Sequence, residues 1–330
     1  MAVATSGIDR ISALPDVILL HILSFLRSKT VVATSILSRR WRNLWPYVPA
    51  VDLDDSLFRG KGELFVRSAY VVMLRRGLTH PILKFRFKSQ SYYYDQFDLD
   101  SWVNTAIQRK VETFELSPAI NYGLKLPIEI LTCETLVVLK LTNITVDRIM
   151  TVQLPALRTL YMYGVGFVKP EYLDNILSGC PNIHHLQIYS LSLSLRSYRV
   201  VRTFCSLIHL NLSLYDFKWC LILALINSCP MLQNLVIRKE KPGTRGLDLQ
   251  HRLFPVPGCL TSHLRYCTLK NFYGSEVDVQ FAIYIMQNAS VLKRMTICCP
   301  DTSSDGDKLQ LLKRISKIPR TSKNCELLFE

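Results

Sequence analysis

No cysteine precedes Cys133, and none of the ten cysteines forms a C-x-x-C pair. The seven histidines complete no zinc-ligand spacing, so neither a zinc ribbon nor a thioredoxin-like centre is expected. Long apolar runs are missing too. The longest unbroken one, Trp219 to Ile226, covers 8 residues, whereas a membrane-spanning helix needs about 20. The opening stretch MAVATSGIDR has no apolar core of a secretory signal. The chain is therefore read as intracellular (cytoplasm, nucleus or both), without a membrane partner, its cysteines acting as reduced, buried small hydrophobes.

Catalytic signatures are equally scarce. There is no G-x-S-x-G, Walker loop, G-x-G-x-x-G or H-E-x-x-H. Cys298-Cys299 is the one tempting nucleophile, and no base is placed beside it. The expectation is a non-enzyme with no catalytic residue, no metal and no cofactor. The formal charge of +14 raises nucleic acid as a partner, but the excess is diffuse. Residues 1–50 hold 6 basic and 2 acidic side chains, residues 101–150 hold 5 of each, and no stripe of Lys and Arg interleaved with aromatics emerges. A dedicated nucleic-acid site is not expected.

What is present begins with residues 9–48, DRISALPDVILLHILSFLRSKTVVATSILSRRWRNLWPYV. Pro15 and Asp16 suit the first turn of a helix, where proline loses no hydrogen bond and an acid meets the positive dipole end. Ile18, Leu19, Ile22, Leu23 and Leu26 recur at helical spacing and form one wide apolar face. A second helical segment is predicted at about Thr30 to Leu37, and Ser38 is placed to cap a third carrying Trp41, Leu44 and Trp45. Three short helices of this size barely enclose a core, so the surplus apolar surface predicts an interface.

Asp9-Arg10-Ile11-Ser12, Leu14-Pro15-Asp16, Ile22-Leu23-Ser24 and Ser38-Arg39-Arg40-Trp41 with Leu44-Trp45 resemble the F-box of plant F-box proteins. The resemblance implies docking onto a Skp-type adaptor, and through it a cullin–RING ubiquitin ligase, by Leu14, Pro15, Ile18, Ile22, Leu23, Leu26 and Trp41. One departure stands out. After Leu26 the family carries proline and, three positions later, an acid, whereas this chain has Arg27 and Thr30.

Behind the F-box an L-x-x-L-x-L pattern recurs, clearest at Leu136-Leu139-Leu141, Leu157-Leu160-Met162, Ile183-Leu186-Ile188, Leu207-Leu210-Leu212 and Leu232-Leu235-Ile237. Weaker copies start at Ile82, Val111, Leu264 and Leu292, and successive starts differ by 21 to 32 residues, near the length of a leucine-rich repeat. The L-x-L step is strand alternation, with both leucines on one face. Two copies 49 residues apart share an apolar helical stretch ending at Cys180-Pro181 and Cys229-Pro230, where proline halts the helix. Cys133, Cys180 and Cys229 sit three residues before the first pattern leucine, a slot filled elsewhere by Leu154, Phe204 and Ala289, so a buried column is expected. Trp102 to Leu116 and Leu124 to Leu141 resemble the plant F-box/leucine-rich-repeat family. Residues 238–258, charged and rich in Pro and Gly, read as a loop. Beyond them Pro257-Gly258-Cys259-Leu260, Asn271 to Glu276 and Val291 to Met295 resemble the FBD module, expected as strand, helix, strand, exposed loop (Asp301 to Asp307), helix and strand.

The expected fold is α/β: a three-helix F-box at 1–50, an irregular leucine-rich-repeat solenoid (a horseshoe) at 51–250 and an FBD cap at 251–330. The implied function is the substrate-recognition adaptor of an SCF-type ligase, the repeats holding a protein target of unknown identity for ubiquitination and degradation. A non-degradative scaffold and a ligand-gated receptor using the repeat face are the alternatives.

Overall fold

The structure, a computed structural model, describes residues 10–11, 13–58, 60–76, 80–120, 123–191, 203–214, 219–240, 255–301 and 305–330. The chain divides into two compact units, Met1–Leu136 and Val137–Glu330.

The first unit opens with α1 (Asp16–Leu23), α2 (Ser28–Ala33), a 3-10 turn (Thr34–Ile36) and α3 (Arg39–Leu44). The second helix starts two residues earlier than Thr30 and its last turn tightens to 3-10, a common way for a helix to end. The third is capped as expected, the Ser38 hydroxyl accepting the Trp41 N–H at 3.4 Å. There follow β1 (Ala50–Asp54), α4 (Gly62–Leu74), β2 (Lys84–Lys88), α5 (Gln96–Gln108) and β3 (Thr113–Ser117). The three strands are parallel and in register, pairing Val51, Phe85 and Phe114 in one row and Leu53, Phe87 and Leu116 in the next. β1 is a repeat copy that the leucine pattern overlooked: Val48-x-x-Val51-x-Leu53 has the right spacing with valine in the leucine slots, and all three are buried. In α5, Leu99, Trp102, Val103 and Ala106 are buried at helical spacing. Asp95 and Asp98 close its N-terminus as a reciprocal capping box.

Just past β1 lies Asp55, buried at 7% exposure. Its carboxylate accepts the Ser89 hydroxyl at 2.5 Å, the Ser91 hydroxyl, and the Gln90 and Ser91 N–H groups, each as close as 2.9 Å. It thereby fixes the chain leaving β2 against the chain leaving β1. Burial alone would push this carboxyl up, but the hydrogen bonds prevail and hold it below the ordinary carboxylate value.

The second unit contains β4 (Val138–Thr142), β5 (Thr145–Val146), β6 (Thr159–Tyr163), β7 (Gly166–Phe167), α6 (Glu171–Ser178), β8 (His185–Leu191) and β9 (His209–Leu214). It continues with α7 (Trp219–Asn227), β10 (Asn234–Lys239), α8 (Gly258–Ser262), β11 (Tyr266–Lys270), α9 (Glu276–Asn288), β12 (Arg294–Cys298), α10 (Asp305–Ser316) and β13 (Glu326–Phe329). Apart from the small β5–β7 pair, each strand lies parallel beside the next in sequence. The register keeps like on like: Leu139, Leu160, Leu186, Leu210, Leu235, Cys267, Met295 and Leu327 form one continuous row. Such a row is what the alternate leucines predicted, since each repeat buries its apolar side chains only against its neighbours.

Before several of the strands the chain turns on the slot three residues ahead of the first leucine. The N–H of Leu157 reaches the Leu154 carbonyl at 3.2 Å, Leu207 reaches Phe204 at 3.3 Å and Leu232 reaches Cys229 at 3.2 Å. The slot side chains are buried, Cys180 and Cys229 giving their thiols to the carbonyls of Ile176 and Leu225 at 3.1 Å. Burial pushes the Cys180 thiol up to about 12 and raises Cys229 further in the same direction, so both are inert packing groups. The stretch read as a loop at 238–258 is strand at its start and helix at its end, and its middle, 241–254, is outside the described residues. Likewise α10 begins at Asp305, inside the expected loop, of which 302–304 are not described.

One charged contact sets the position of α9. Lys239 Nζ meets Asp278 Oδ1 at 2.6 Å with both side chains buried, and the Lys239 carbonyl accepts the Asn271 amide at 2.9 Å. Beside the pair, Trp219 stacks on Phe281 with ring centroids 3.8 Å apart. Replacing Asp278 with alanine strands a buried cation and is expected to cost about 3–5 kcal/mol in urea denaturation. The double change Lys239→Met with Asp278→Leu is expected to recover most of that loss. For Asp55, the lowered folded-state value means stabilisation that is complete above the unfolded carboxyl range and is lost as the pH falls from there through the folded-state value. Asp55→Asn is expected to flatten the acid limb of the stability–pH curve, and an unchanged acid midpoint would refute that assignment.

Candidate functional site

The three N-terminal helices enclose a small core of Leu19, Leu23, Val31, Trp41, Leu44, Trp45 and Val48, with Leu14, Leu20, Val32 and Ala50 packed at its edge. The apolar face predicted for α1 therefore divides in two. Leu19 and Leu23 turn inward, while Ile18, Ile22 and Leu26 remain 45%, 41% and 38% exposed. Phe25 at 71% and Val17 at 76% extend the outer stripe, and Ile36 and Leu37 are exposed at the end of the 3-10 turn. Exposed apolar side chains gathered on one short segment are the kind of surface that partners cover. Phe25, Ile36 and Leu37 escape the sequence reading because helical spacing shows which residues share a face, not which of two apolar faces meets the core.

Of the seven residues assigned by resemblance, Leu14 is half-buried and Pro15, Ile18, Ile22 and Leu26 are exposed. Leu23 and Trp41 are interior, 1% and 6% exposed, so they support the surface from behind. Arg40 ties the two ends of the motif together. Its guanidinium donates to Asp16 Oδ1 at 2.9 Å through Nε and to the Leu14 carbonyl at 2.5 Å, holding the first turn of α1 against α3. That contact explains why Leu14-Pro15-Asp16 and Ser38-Arg39-Arg40-Trp41 occur together although 24 residues separate the partners.

The departure at Arg27 leaves the backbone as a proline would have it, because Arg27 precedes α2 with φ −66°. Its side chain serves elsewhere, pairing at 3.4 Å with the buried carboxylate of Asp54 at the end of β1. Ser28 Oγ accepts the Asp52 N–H at 2.7 Å, and Lys29 binds the Leu57 carbonyl with its ammonium 4.6 Å from the Phe58 ring centre. From the other side Arg76, 2% exposed, donates to the carbonyls of Val48 and Ala50. Burial, then the nearby Arg109, pushes it down to about 10, still a cation at neutral pH. The helical group is thus tied to the first strand and the turn after it by four side chains.

A second surface belongs to the Val137–Glu330 unit. Opposite the leucine rows its strands present Tyr161, Tyr163, Gln187, Tyr189, Asn211 and their neighbours. The Asn211 amide donates to the Tyr189 hydroxyl at 2.6 Å, and His185 stacks on His209 with centroids 4.4 Å apart. Burial first, and a neighbouring histidine second, lower the pKa of both rings and favour their neutral forms. A preorganised, aromatic and mostly uncharged face of this kind suits protein recognition. Cys298 and Cys299 offer no activated thiol: burial raises both, and the Glu330 carboxylate, 3.4 Å from Cys298 Sγ, raises Cys298 further. Among the described residues no cluster of His, Cys, Asp and Glu is arranged to hold a metal ion, and no helix is long and apolar enough to cross a membrane.

Comparison with known proteins adds three domain matches. Residues 11–49 match the F-box domain, residues 99–211 match the LRR repeats of FBD-associated F-box protein At5g56370, and residues 255–297 match FBD. Similar whole chains come from Arabidopsis thaliana. F-box/LRR-repeat protein 13 is 25% identical over 99% of this chain and 97% of its own length. FBD-associated F-box protein At3g52670 is 26% identical over 98% and 97%, and F-box/FBD/LRR-repeat protein At5g56420 is 27% identical over 98% and 99%.

The Arg40 clamp can be tested directly. Arg40→Met is expected to raise amide hydrogen exchange across Asp16–Leu23 while β1 and β2 keep their protection, at a cost of about 1 kcal/mol for so exposed a pair.

Proposed function

Because this chain belongs to the plant F-box/FBD/LRR family, we propose that it is the substrate-recognition adaptor of an SCF-type ubiquitin ligase. An F-box implies binding to a Skp-type adaptor, and F-box proteins with leucine-rich repeats point to SCF recruitment as a family trait. In this reading residues 1–50 anchor the chain to the Skp–cullin scaffold inside the cell. Residues 51–250, curved as a horseshoe, hold a protein target, and 251–330 cap the array.

The observation that carries the proposal is the exposed Ile18 and Ile22 on a helix whose other face already fills a core, followed by exposed Phe25 and Leu26 just past its end. Leu14 and Pro15 border it at the start of α1, and Leu23 and Trp41 keep it rigid. The chain supplies no chemistry in this scheme. It raises the effective concentration of a target near a ligase-bound conjugating enzyme, and ubiquitin transfer leads to proteasomal degradation. Rigidity between anchor and first strand then matters, because a loose joint dilutes that concentration. Arg27, Ser28 and Arg76 supply the stiffness.

Exposed side chains can be changed at little cost to folding. The double variant Ile18→Glu with Ile22→Glu is expected to keep the wild-type circular dichroism spectrum and melting temperature within a few degrees. It should nevertheless lose co-purification with a Skp protein. A variant that still co-purifies at the wild-type level would remove the anchor from this surface.

A further inference from the structure

Charge on the strands follows a rule. Where two side chains of Asp, Glu, Lys or Arg stand directly opposite each other across paired strands, their signs are opposite. Asp52 faces Arg86, which in turn faces Glu115, with contacts of 3.3 and 3.2 Å. Asp54 faces Lys88, and Arg294 faces Glu326 at 2.9 Å. Among the described strand pairings one position breaks the rule: Arg238 on β10 stands directly opposite Lys270 on β11. Like charges in that relation destabilise a sheet.

Neither cation has an ion pair or hydrogen bond from its side chain among the described residues. The acids on the neighbouring positions make no ion pair with either cation. Glu240 is engaged by the Ser213 hydroxyl, and Glu330 takes the Cys298 thiol one strand further on. Both cations are half-buried, which limits relief by solvent. Both lie close enough to Cys298, and Arg238 close enough to Tyr189, to act on those groups electrostatically. The pair continues, through Ser213 on β9, the row that begins with Tyr163 and Tyr189 on the polar face. A planar guanidinium and an ammonium on facing positions of neighbouring strands form a receptor for a carboxylate.

We propose that Arg238 and Lys270 form an anion-binding position on the repeat face and that the protein held there presents an acidic, carboxylate-bearing segment. The inference rests on the reading of this face as the target-holding surface. The repulsion between the two cations is a cost to the free chain that the bound carboxylate removes, so occupancy stabilises the fold.

The test uses the full chain and a fluorescent ten-residue peptide of Glu, Asp and Ser, with the Gln/Asn counterpart as the neutral control. The acidic peptide is expected to bind, to weaken with rising salt and to outcompete the neutral one. K270E places an opposite charge across from Arg238, as Glu326 does for Arg294. It is expected to raise the melting temperature while weakening the acidic peptide about tenfold or more. K323E makes the same change of net charge at an exposed position elsewhere, and is expected to alter binding by less than about twofold. Equal losses in K270E and K323E, or equal binding of the two peptides, would overturn the proposal. Should K270E fold poorly, Arg238→Gln with Lys270→Gln serves in its place, with the same loss expected. Co-purification with a Skp protein, read on the same preparations, reports separately on the adaptor reading.

Discussion

No strand of this chain can bury its apolar side chains alone. Each presents two leucine-like residues to one side, and they leave water only when the next strand stands beside them in the same register. Leucine rows therefore run unbroken from strand to strand, and a shift of one residue would turn every leucine outward. The turns before four of these strands, each on a buried cysteine, leucine or phenylalanine, support the register by closing the same hydrogen bond. Everything exposed on the other face is placed by this demand, since alternation leaves the intervening positions no choice of side.

The N-terminal helices face the same difficulty in a harsher form. With about forty residues they enclose one small core, and α1 is apolar on more than the side that core can use. The surplus is arranged, not tolerated. Arg40 pins the first turn of α1, Leu23 and Trp41 stiffen it from within, and four side chains bind the helical group to β1 and the chain beside it. In the proposed role such a joint matters, because recruitment by proximity depends on geometry.

The three helices, the Ser38 cap, nine repeat strands and the Cys-Pro helix stops were legible from spacing alone. Spacing failed where residue type departed from the template. Val48, Val51 and Leu53 satisfy the repeat with valine and were passed over as the end of the helical motif. The helix at Ser28 began before its predicted start because Arg27 has proline-like backbone angles without being proline. Resemblance singled out Leu23 and Trp41 together with Ile18 and Ile22, although the two pairs lie on opposite sides of the same thin layer.

Sequence by itself determined the period of the array, the identity of its buried faces and the kinship of the N-terminal motif. Periodicity follows from backbone geometry, which is the same wherever the chain lies. Only the tertiary structure decided which apolar face of α1 stays outside and that Arg27 serves Asp54. It also decided that Arg238 and Lys270 meet across two strands. Those outcomes depend on which distant segment arrives alongside. A pairing across strands is a relation between two stretches of chain, and neither stretch carries it alone.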